Sequence, residues 1–293
     1  MIRKIKVVMS FLILIGALLL AGCSSETAES WHYKGMALFQ EGKYTEAIEC
    51  FDKAIAIDPN YTSVWNTKGW ALKELERYSE AIECFDKAIS LDPNLIAPWN
   101  GKGLALANQG KYSEAIACYD KALSLNPDYR YTWIDKGEAF FNQGKYTEAI
   151  ECFDKAISLD PNDPKVWNNK GLSLKSLGRD MEAQECFDNA NTFSWMKEGS
   201  DLFRQDRYVE AIESYDKIIK INPDYVPAWN AKGGVFYFHD RYPEAIECFD
   251  KAIAIEPNNA YAWYYKGLSL KDLGRDVEAQ ECFIKARELG YKE

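Results

Sequence analysis

The pattern of apolar and polar positions recurs along most of the chain, and its first five copies follow one another at intervals of 34 residues. The copies begin at tryptophans, namely Trp31, Trp65, Trp99, Trp133, Trp167, Trp195, Trp229 and Trp263. Self-similarity at such a period is typical of stacked repeat arrays, in which each repeat packs mainly against its neighbours. The pattern therefore predicts a stack of small repeats rather than one closed core.

Each repeat contains two segments with apolar residues at helical spacing, separated by a polar turn. In the first repeat, Trp31 and Leu38 lie in the first segment, whereas Phe51 and Ile55 lie in the second. We name the helix predicted for the first segment helix A and that predicted for the second segment helix B. Every repeat is thus expected to be a helix-turn-helix.

Small residues and turn residues support this assignment. Gly42 lies where helix A should end, since glycine readily takes the left-handed conformation found there. Pro59 lies where helix B should end, because proline cannot continue a helix. The small residues Gly35, Ala47 and Ala54 would allow the two helices to approach closely.

The resulting pattern, Trp-x3-Gly-x2-Leu…Ala-x3-Phe-x2-Ala-x4-Pro, resembles the tetratricopeptide repeat (TPR), and it recurs eight times over residues 31–293. The resemblance implies an all-α fold, a right-handed superhelical solenoid of eight helix-turn-helix TPR units. It also implies a concave groove, lined by helix A of each repeat, that binds peptides or proteins. One departure is a lysine before the glycine, as at Lys34, whose ammonium is expected to reach water.

The copies differ most between the fifth and sixth repeats. Trp195 follows Trp167 by only 28 residues, and the helix-ending proline is among the residues that are missing. We expect repeats 1–5 (31–194) and repeats 6–8 (195–293) to form two blocks joined by a shortened connection at 188–194. A hinge or a local change of superhelical pitch is one interpretation of this connection, and tight but regular packing is the alternative.

The first 22 residues have the pattern of a signal peptide. Basic residues at 3–6 precede an apolar run of about fourteen residues, 7–20, which is shorter than the roughly 20 residues of a membrane span. Leu-Ala-Gly-Cys at 20–23 resembles the lipobox of lipoproteins, which implies cleavage before Cys23 and a diacylglycerol on its thiol. Residues 23–30 would then form a polar tether. We expect a lipid-anchored, extracytoplasmic protein of the cell membrane or envelope; an uncleaved anchor or a plain secretory peptide are the alternatives.

Composition argues against two classes of function. The net charge is −10, and lysines and arginines alternate with acids, so a nucleic-acid partner is not expected. His32 and His239 are the only histidines and lie in different repeats, and neither a Ser-His-Asp set nor a phosphate-binding loop is present. We therefore expect no catalytic residues, no cofactor, no metal and no small-molecule substrate.

Seven cysteines occupy one position of helix B: Cys50, Cys84, Cys118, Cys152, Cys186, Cys248 and Cys282. No CxxC motif occurs, and equivalent positions of stacked repeats lie too far apart for disulfides. We interpret the cysteines as small buried residues.

Candidate binding residues lie on helix A, where the copies differ. Asparagines follow four of the repeat tryptophans, and an amide offers both a donor and an acceptor to a peptide backbone. Trp70 is the only tryptophan out of phase with the repeat, which suggests an exposed aromatic anchor. The predicted groove residues are Asn66, Trp70, Asn100, Asn108, Phe141, Asn142, Asn168, Phe203, Asn230, Tyr237 and Tyr264.

These observations favour a non-catalytic scaffold that binds a protein or an extended peptide in its groove. Two alternatives remain open. One is an assembly factor for a pilus, secretion system or outer-membrane complex. The other is a self-assembling structural component that joins through an apolar terminal surface containing Phe283, Ala286 and Leu289.

Overall fold

The structure is a computed structural model that describes residues 26–292. It confirms the predicted all-α fold of consecutive helix pairs, since the regular elements of these residues are helices. Cys23 and the predicted signal peptide lie outside the described residues. Within them, no helix is both long enough and apolar enough to cross a membrane.

The described helices are α1 (Ala28–Gln40), α2 (Tyr44–Ile57), α3 (Thr62–Glu74), α4 (Tyr78–Leu91), α5 (Ile96–Asn108), α6 (Tyr112–Leu125), α7 (Arg130–Asn142), α8 (Tyr146–Leu159), α9 (Pro164–Ser176), α10 (Asp180–Arg204), α11 (Tyr208–Ile221), α12 (Val226–Phe238), α13 (Tyr242–Ile255), α14 (Ala260–Asp272) and α15 (Asp276–Glu288).

Two compact units divide the chain between Cys152 and Phe153, inside α8. In the first unit, helices adjacent in sequence pack together, and A helices of neighbouring repeats, such as α3 and α5, also touch. The second unit is built in the same way, with contact between the A helices α12 and α14. In both units, the helix-A side chains of neighbouring repeats lie side by side.

The core of a repeat contains a contact between the helix-A glycine and an aromatic ring of helix B, as repeats 1 and 3 show. A Cβ atom added to Gly35 would lie only 2.4 Å from the ring of Phe51, and one added to Gly103 would lie 2.4 Å from the ring of Tyr119. Both rings are fully buried. A larger residue at the glycine would therefore displace the ring and separate the two helices.

The repeat tryptophan closes the turn that leads into its own helix. Nε1 of Trp65 donates a hydrogen bond to the carbonyl oxygen of Pro59 at 2.8 Å. The same bond recurs at Trp99, Trp133, Trp167, Trp229 and Trp263. The proline thus ends one helix and also supplies the acceptor that positions the next one.

The sequence predicted that the lysine before the glycine extends its ammonium into water. In the structure, this lysine is instead paired with an acid. Nζ of Lys136 lies 2.7 Å from Oδ1 of Asp120, on helix B of the preceding repeat, and the lysine side chain is only 16% exposed. Equivalent pairs are Lys68–Asp52, Lys102–Asp86, Lys170–Asp154, Lys232–Asp216 and Lys266–Asp250. The acid on the preceding repeat supplies the charge partner that the family pattern did not reveal.

The connection between repeats 5 and 6 is helical. Helix α10 runs unbroken for 25 residues, so that helix B of repeat 5 continues directly into helix A of repeat 6. The stretch 188–194 contains neither proline nor glycine to interrupt the helix, and Ala190 and Thr192 are buried along it. The block boundary expected at 194/195 therefore lies within a continuous helix.

Helical structure also begins earlier than the predicted tether allowed. Helix α1 starts at Ala28 because Thr27 caps it. The Thr27 hydroxyl accepts from the backbone nitrogen of Ser30 at 3.1 Å, and the Ser30 hydroxyl accepts in turn from the backbone nitrogen of Thr27 at 3.1 Å. This reciprocal capping gives hydrogen-bond partners to backbone N–H groups at the helix end that would otherwise have none within the helix.

Candidate functional site

The predicted binding residues all lie on A helices, including the A-helix half of α10. We call the surface that the A helices of consecutive repeats form within each unit the A-helix face of that unit. Asn66 and Trp70 lie on α3, Asn100 and Asn108 on α5, Phe141 and Asn142 on α7, Asn168 on α9, Phe203 on α10, Asn230 and Tyr237 on α12, and Tyr264 on α14.

Asn100 uses its amide to join two repeats. The hydroxyl of Thr132 donates to Oδ1 of Asn100 at 2.8 Å, and Nδ2 of Asn100 donates to Oδ2 of Asp135 at 3.2 Å. Asn100 itself is only 5% exposed. Its amide is therefore engaged in packing α5 against α7.

The other asparagines of this row have different surroundings. Oδ1 is buried without a hydrogen-bond partner in both Asn66 and Asn230. The next repeat has Pro98 or Ala262 at the position of Thr132, and neither side chain carries a donor. Asn168 is exposed. The asparagines thus share a sequence position without sharing one structural role.

Trp70 is half-buried rather than freely exposed. Its ring packs edge-on against Phe85, with 5.7 Å between the ring centroids. Nζ of Lys73 lies 5.3 Å from the centroid of the Trp70 ring. One part of the indole therefore belongs to the core, and only the remainder is available on the A-helix face.

A pocket opens on this face in the first unit, between α5, α6 and α7, with a volume of about 270 Å³. It brings together the predicted residues Asn108 and Asn142, both of which are exposed. Its lining is Leu104, Ala107, Asn108, Tyr112, Tyr119, Asp135, Glu138, Ala139 and Asn142. We call it the Tyr119 pocket. Tyr119 and Asp135 line the pocket, although neither is among the groove residues predicted from the sequence.

The hydroxyl of Tyr119 is buried and has no hydrogen-bond partner. Repeat 6 provides a comparison, because its equivalent Tyr215 places its hydroxyl 3.5 Å from Oγ of Ser200. In repeat 3 the position of Ser200 is held by Leu104, which offers no polar group. Burial raises the pKa of the Tyr119 hydroxyl, and the charges of Asp135 and Glu138 raise it further, so the group stays protonated at neutral pH.

The repeat geometry explains why Asp135 acts on this hydroxyl. One repeat earlier, the tip of the Phe85 ring lies 2.5 Å from the place where a Cβ atom of Gly101 would be. Gly101 and Asp135 occupy equivalent positions of successive A helices. The para position of the helix-B ring therefore faces the side chain at this position of the following repeat, which puts the Tyr119 hydroxyl beside Asp135.

In the second unit the A-helix face is rich in aromatic rings. Phe203 contacts Phe238 with ring centroids 5.8 Å apart, and Phe238 is 58% exposed. Tyr237 packs edge-on against Tyr265 at 5.8 Å. Aromatic side chains that combine exposure with fixed packing are suited to anchoring a partner.

The apolar terminal surface expected near the last repeat is partly covered by the chain itself. Tyr291 stacks on Tyr264 with ring centroids 4.2 Å apart, and Tyr264 also contacts Phe283 at 5.7 Å. Ala286 is 1% exposed. This packing reduces the apolar area on which the self-assembly interpretation depended.

The seven helix-B cysteines are all buried, as expected. Burial raises the pKa of Cys84 and Cys152 to about 11 and that of Cys248 to about 12. These three groups therefore remain protonated thiols at neutral pH. Among the described residues, no group of three or more His, Cys, Asp or Glu side chains is arranged to hold a metal ion.

The helix pairs are similar to those of solved MamA structures. A MamA crystal structure is 24% identical, covers 56% of this chain and 95% of its own, and has a TM-score of 0.53. MamA 41-end from Desulfovibrio magneticus RS-1 is 22% identical over 57% of this chain and 95% of its own, with a TM-score of 0.54. MamA MSR-1 is 26% identical over 57% of this chain and 96% of its own, with a TM-score of 0.50. At such identities the likeness supports the fold.

Family models provide the assignment. Models described as tetratricopeptide repeat match residues 28–61, 63–95, 100–164 and 152–185, and a model described as TPR repeat matches 235–274. No curated protein sequence matches the chain significantly. The five matched segments together cover more than half of the chain, with two of them overlapping. The chain belongs to the tetratricopeptide repeat proteins.

Proposed function

We propose that this protein is a non-catalytic scaffold whose A-helix face binds an extended peptide or a segment of a partner protein. The observation that carries the proposal is the Tyr119 pocket. This pocket opens on the A-helix face of the first unit and contains a buried hydroxyl without a hydrogen-bond partner. Packing alone would favour a phenylalanine at this position, so the polar atom supports a role in binding.

The aromatic rings of the second unit support the same proposal. Phe238 exposes more than half of its surface while its ring stays in contact with Phe203. A ring that is already held in place loses little conformational entropy on binding. The second unit thus offers apolar anchors, whereas the first unit offers a polar pocket.

We further propose that a lipid on Cys23 holds the protein on the extracytoplasmic side of the cell membrane or envelope. The support is the order of basic residues, apolar run and Leu-Ala-Gly-Cys within residues 3–23. A single lipid chain binds membranes only marginally, so a diacylglycerol is the smallest anchor of this kind that holds firmly.

Site-specific crosslinking in cells tests the binding surface. A photoreactive amino acid replaces Asn142, which is exposed at the rim of the Tyr119 pocket, and a matched control replaces Glu151, which is exposed on helix B of the same repeat. We expect a partner to be captured from position 142 and not from position 151. Capture from position 151 alone would contradict binding on the A-helix face.

Membrane fractionation tests the anchor separately. The Cys23→Ser variant should lose its lipid and move from the membrane to the soluble extracytoplasmic fraction, and metabolic labelling with a fatty acid should disappear. Retention of the variant in the membrane would instead indicate an uncleaved N-terminal span.

A further inference from the structure

The Tyr119 pocket contains a polar group that the described chain leaves unsatisfied. The hydroxyl of Tyr119 is excluded from solvent, the residue is 0% exposed, and no hydrogen-bond partner reaches it. A buried hydroxyl without a partner destabilises a protein relative to the same ring without the oxygen. The stability of the fold therefore does not explain why residue 119 carries a hydroxyl group.

Packing of the repeat does not require the hydroxyl. At the equivalent position, Phe51, Phe85, Phe153 and Phe249 fill the same space and are equally buried. Tyr215 keeps the hydroxyl but has Ser200 within 3.5 Å of it. Of the two tyrosines at this position, Tyr119 and Tyr215, Tyr119 is the one whose hydroxyl lacks a hydrogen-bond partner. Tyr119 is also the one that lines the pocket.

The charged groups of the pocket indicate what it would accept. Asp135 and Glu138 stand three residues apart on α7, a spacing that places them on the same side of the helix, and both line the pocket. None of the described lining residues is a lysine or an arginine. Oδ2 of Asp135 accepts a hydrogen bond from Nδ2 of Asn100 at 3.2 Å. The side chains that line the pocket are therefore rich in hydrogen-bond acceptors and include two acids.

We propose that the Tyr119 pocket receives the ammonium or guanidinium group of a lysine or arginine side chain from a peptide bound along the A-helix face. Such a group has only donors. Its N–H groups would bind the carboxylates of Asp135 and Glu138, and they would reach the oxygen of Tyr119 once the ligand displaces the side chains that cover it. This inference deepens the proposed function and rests on it.

The remaining features of the pocket fit this occupant. Leu104, Ala107 and Ala139 give apolar contact for the aliphatic stem of a long basic side chain. Asn108 and Asn142 at the exposed rim carry amides that can bond the peptide backbone next to it. The volume of about 270 Å³ far exceeds the roughly 15 Å³ that a single water needs.

Binding of matched probe peptides to the full-length protein in detergent tests the proposal. The first probe is a fluorescent, end-blocked nonapeptide of alternating serine and lysine, and the second replaces each lysine by norleucine, which keeps the stem and removes the charge. A third carries glutamate instead. We expect measurable anisotropy change with the lysine peptide and at least about tenfold weaker binding of the other two, because charge-assisted hydrogen bonds are lost.

Variants of the protein locate the interaction. Glu138→Gln and Tyr119→Phe should each weaken the lysine peptide by about tenfold, whereas Tyr215→Phe, which alters the matched ring outside the pocket, should leave its affinity unchanged. Equal binding of the lysine and norleucine peptides would overturn the proposal. An unchanged affinity in both Glu138→Gln and Tyr119→Phe would overturn it as well.

Two further experiments distinguish this proposal from related explanations. If n-butylammonium alone binds as tightly as the lysine peptide, the pocket serves a free amine and the peptide side chain is ruled out. If the crosslinker at position 142 still captures its partner when Glu138 is replaced by Gln and Tyr119 by Phe, the basic subsite fails while binding on the A-helix face stands.

Discussion

The ammonium nitrogen of Lys102 lies 2.6 Å from Oδ1 of Asp86, which belongs to helix B of the preceding repeat. The lysine is 23% exposed and the aspartate 50% exposed, so this ion pair lies at the edge of the repeat interface. At the junction of repeats 5 and 6 the lysine position holds Glu198, and the aspartate position holds Asp188. Two acids cannot form such a pair, and there the repeats are instead joined by the continuous helix α10.

The first prediction concerns this ion pair. Lys102→Met keeps the apolar stem and removes the charge, so we expect a loss of stability below about 1 kcal/mol, because Asp86 is largely solvated. Urea unfolding at low and high salt measures it, and the difference from the wild type should shrink at high salt. A loss of several kcal/mol that is independent of salt would show that the lysine acts mainly through packing.

The second prediction concerns the unsatisfied hydroxyl. Tyr119→Phe should stabilise the protein by about 1 kcal/mol, since it removes a buried group without a partner and leaves the ring in place. Tyr215→Phe is the matched control and should be neutral or slightly destabilising, because that hydroxyl has Ser200 nearby. Thermal unfolding of both variants measures the effect. A destabilised Tyr119→Phe variant would mean that the hydroxyl has a partner in the free protein.

The third prediction concerns the turn between helices A and B. Glu76 has a φ of 59°, at the position where Gly42 has a φ of 77°. Glu76→Gly relieves a left-handed backbone strain of roughly 1–2 kcal/mol. The added glycine also raises the conformational entropy of the unfolded chain, which lowers stability by about 0.5–1 kcal/mol. We expect a net stabilisation below about 1 kcal/mol in thermal unfolding. Gly42→Ala is the reverse control and should destabilise the protein.

The fourth prediction concerns helix α10. Asn191 is exposed in the stretch that joins repeats 5 and 6. Asn191→Pro should destabilise the protein by about 3 kcal/mol, because proline removes a helical hydrogen bond and clashes with the preceding turn. Asn191→Ala should cost little. Hydrogen exchange of α10 measures the effect, and unchanged protection in the proline variant would favour a flexible connection over a continuous helix.

The fifth prediction concerns the buried thiols. The pKa is raised to about 11 in Cys84 and to about 12 in Cys248, both because of burial. The unfolded chain, with ordinary thiols near pH 8.5, releases these protons first. The contribution of the two thiols to stability is thus complete below about pH 8.5 and falls as the pH rises towards 11. Alkylation of the folded protein at pH 8 should be slow and should accelerate in urea; rapid alkylation without urea would contradict burial.

Much of the fold follows from the sequence because the signals are local. The spacing of Trp31, Gly35 and Phe51, the turn at Gly42 and the stop at Pro59 all lie within a single repeat and determine its helix pair. Repetition of these signals then determines that the next helix pair packs on the first. The cysteine positions could be interpreted in the same way, since a helix-B position that faces a neighbour in one repeat faces one in every repeat.

The tertiary structure decided those features whose partners lie in another repeat. The amide of Asn100 is engaged because Thr132 happens to carry a donor, whereas the buried carbonyl oxygen of Asn66 has none. The hydroxyl of Tyr119 differs from the usual phenylalanine by one atom, and the importance of that atom depends on Leu104 and Asp135 around it. Contacts of this kind depend on the distance and angle between packed helices, which the spacing of residues along one helix does not specify.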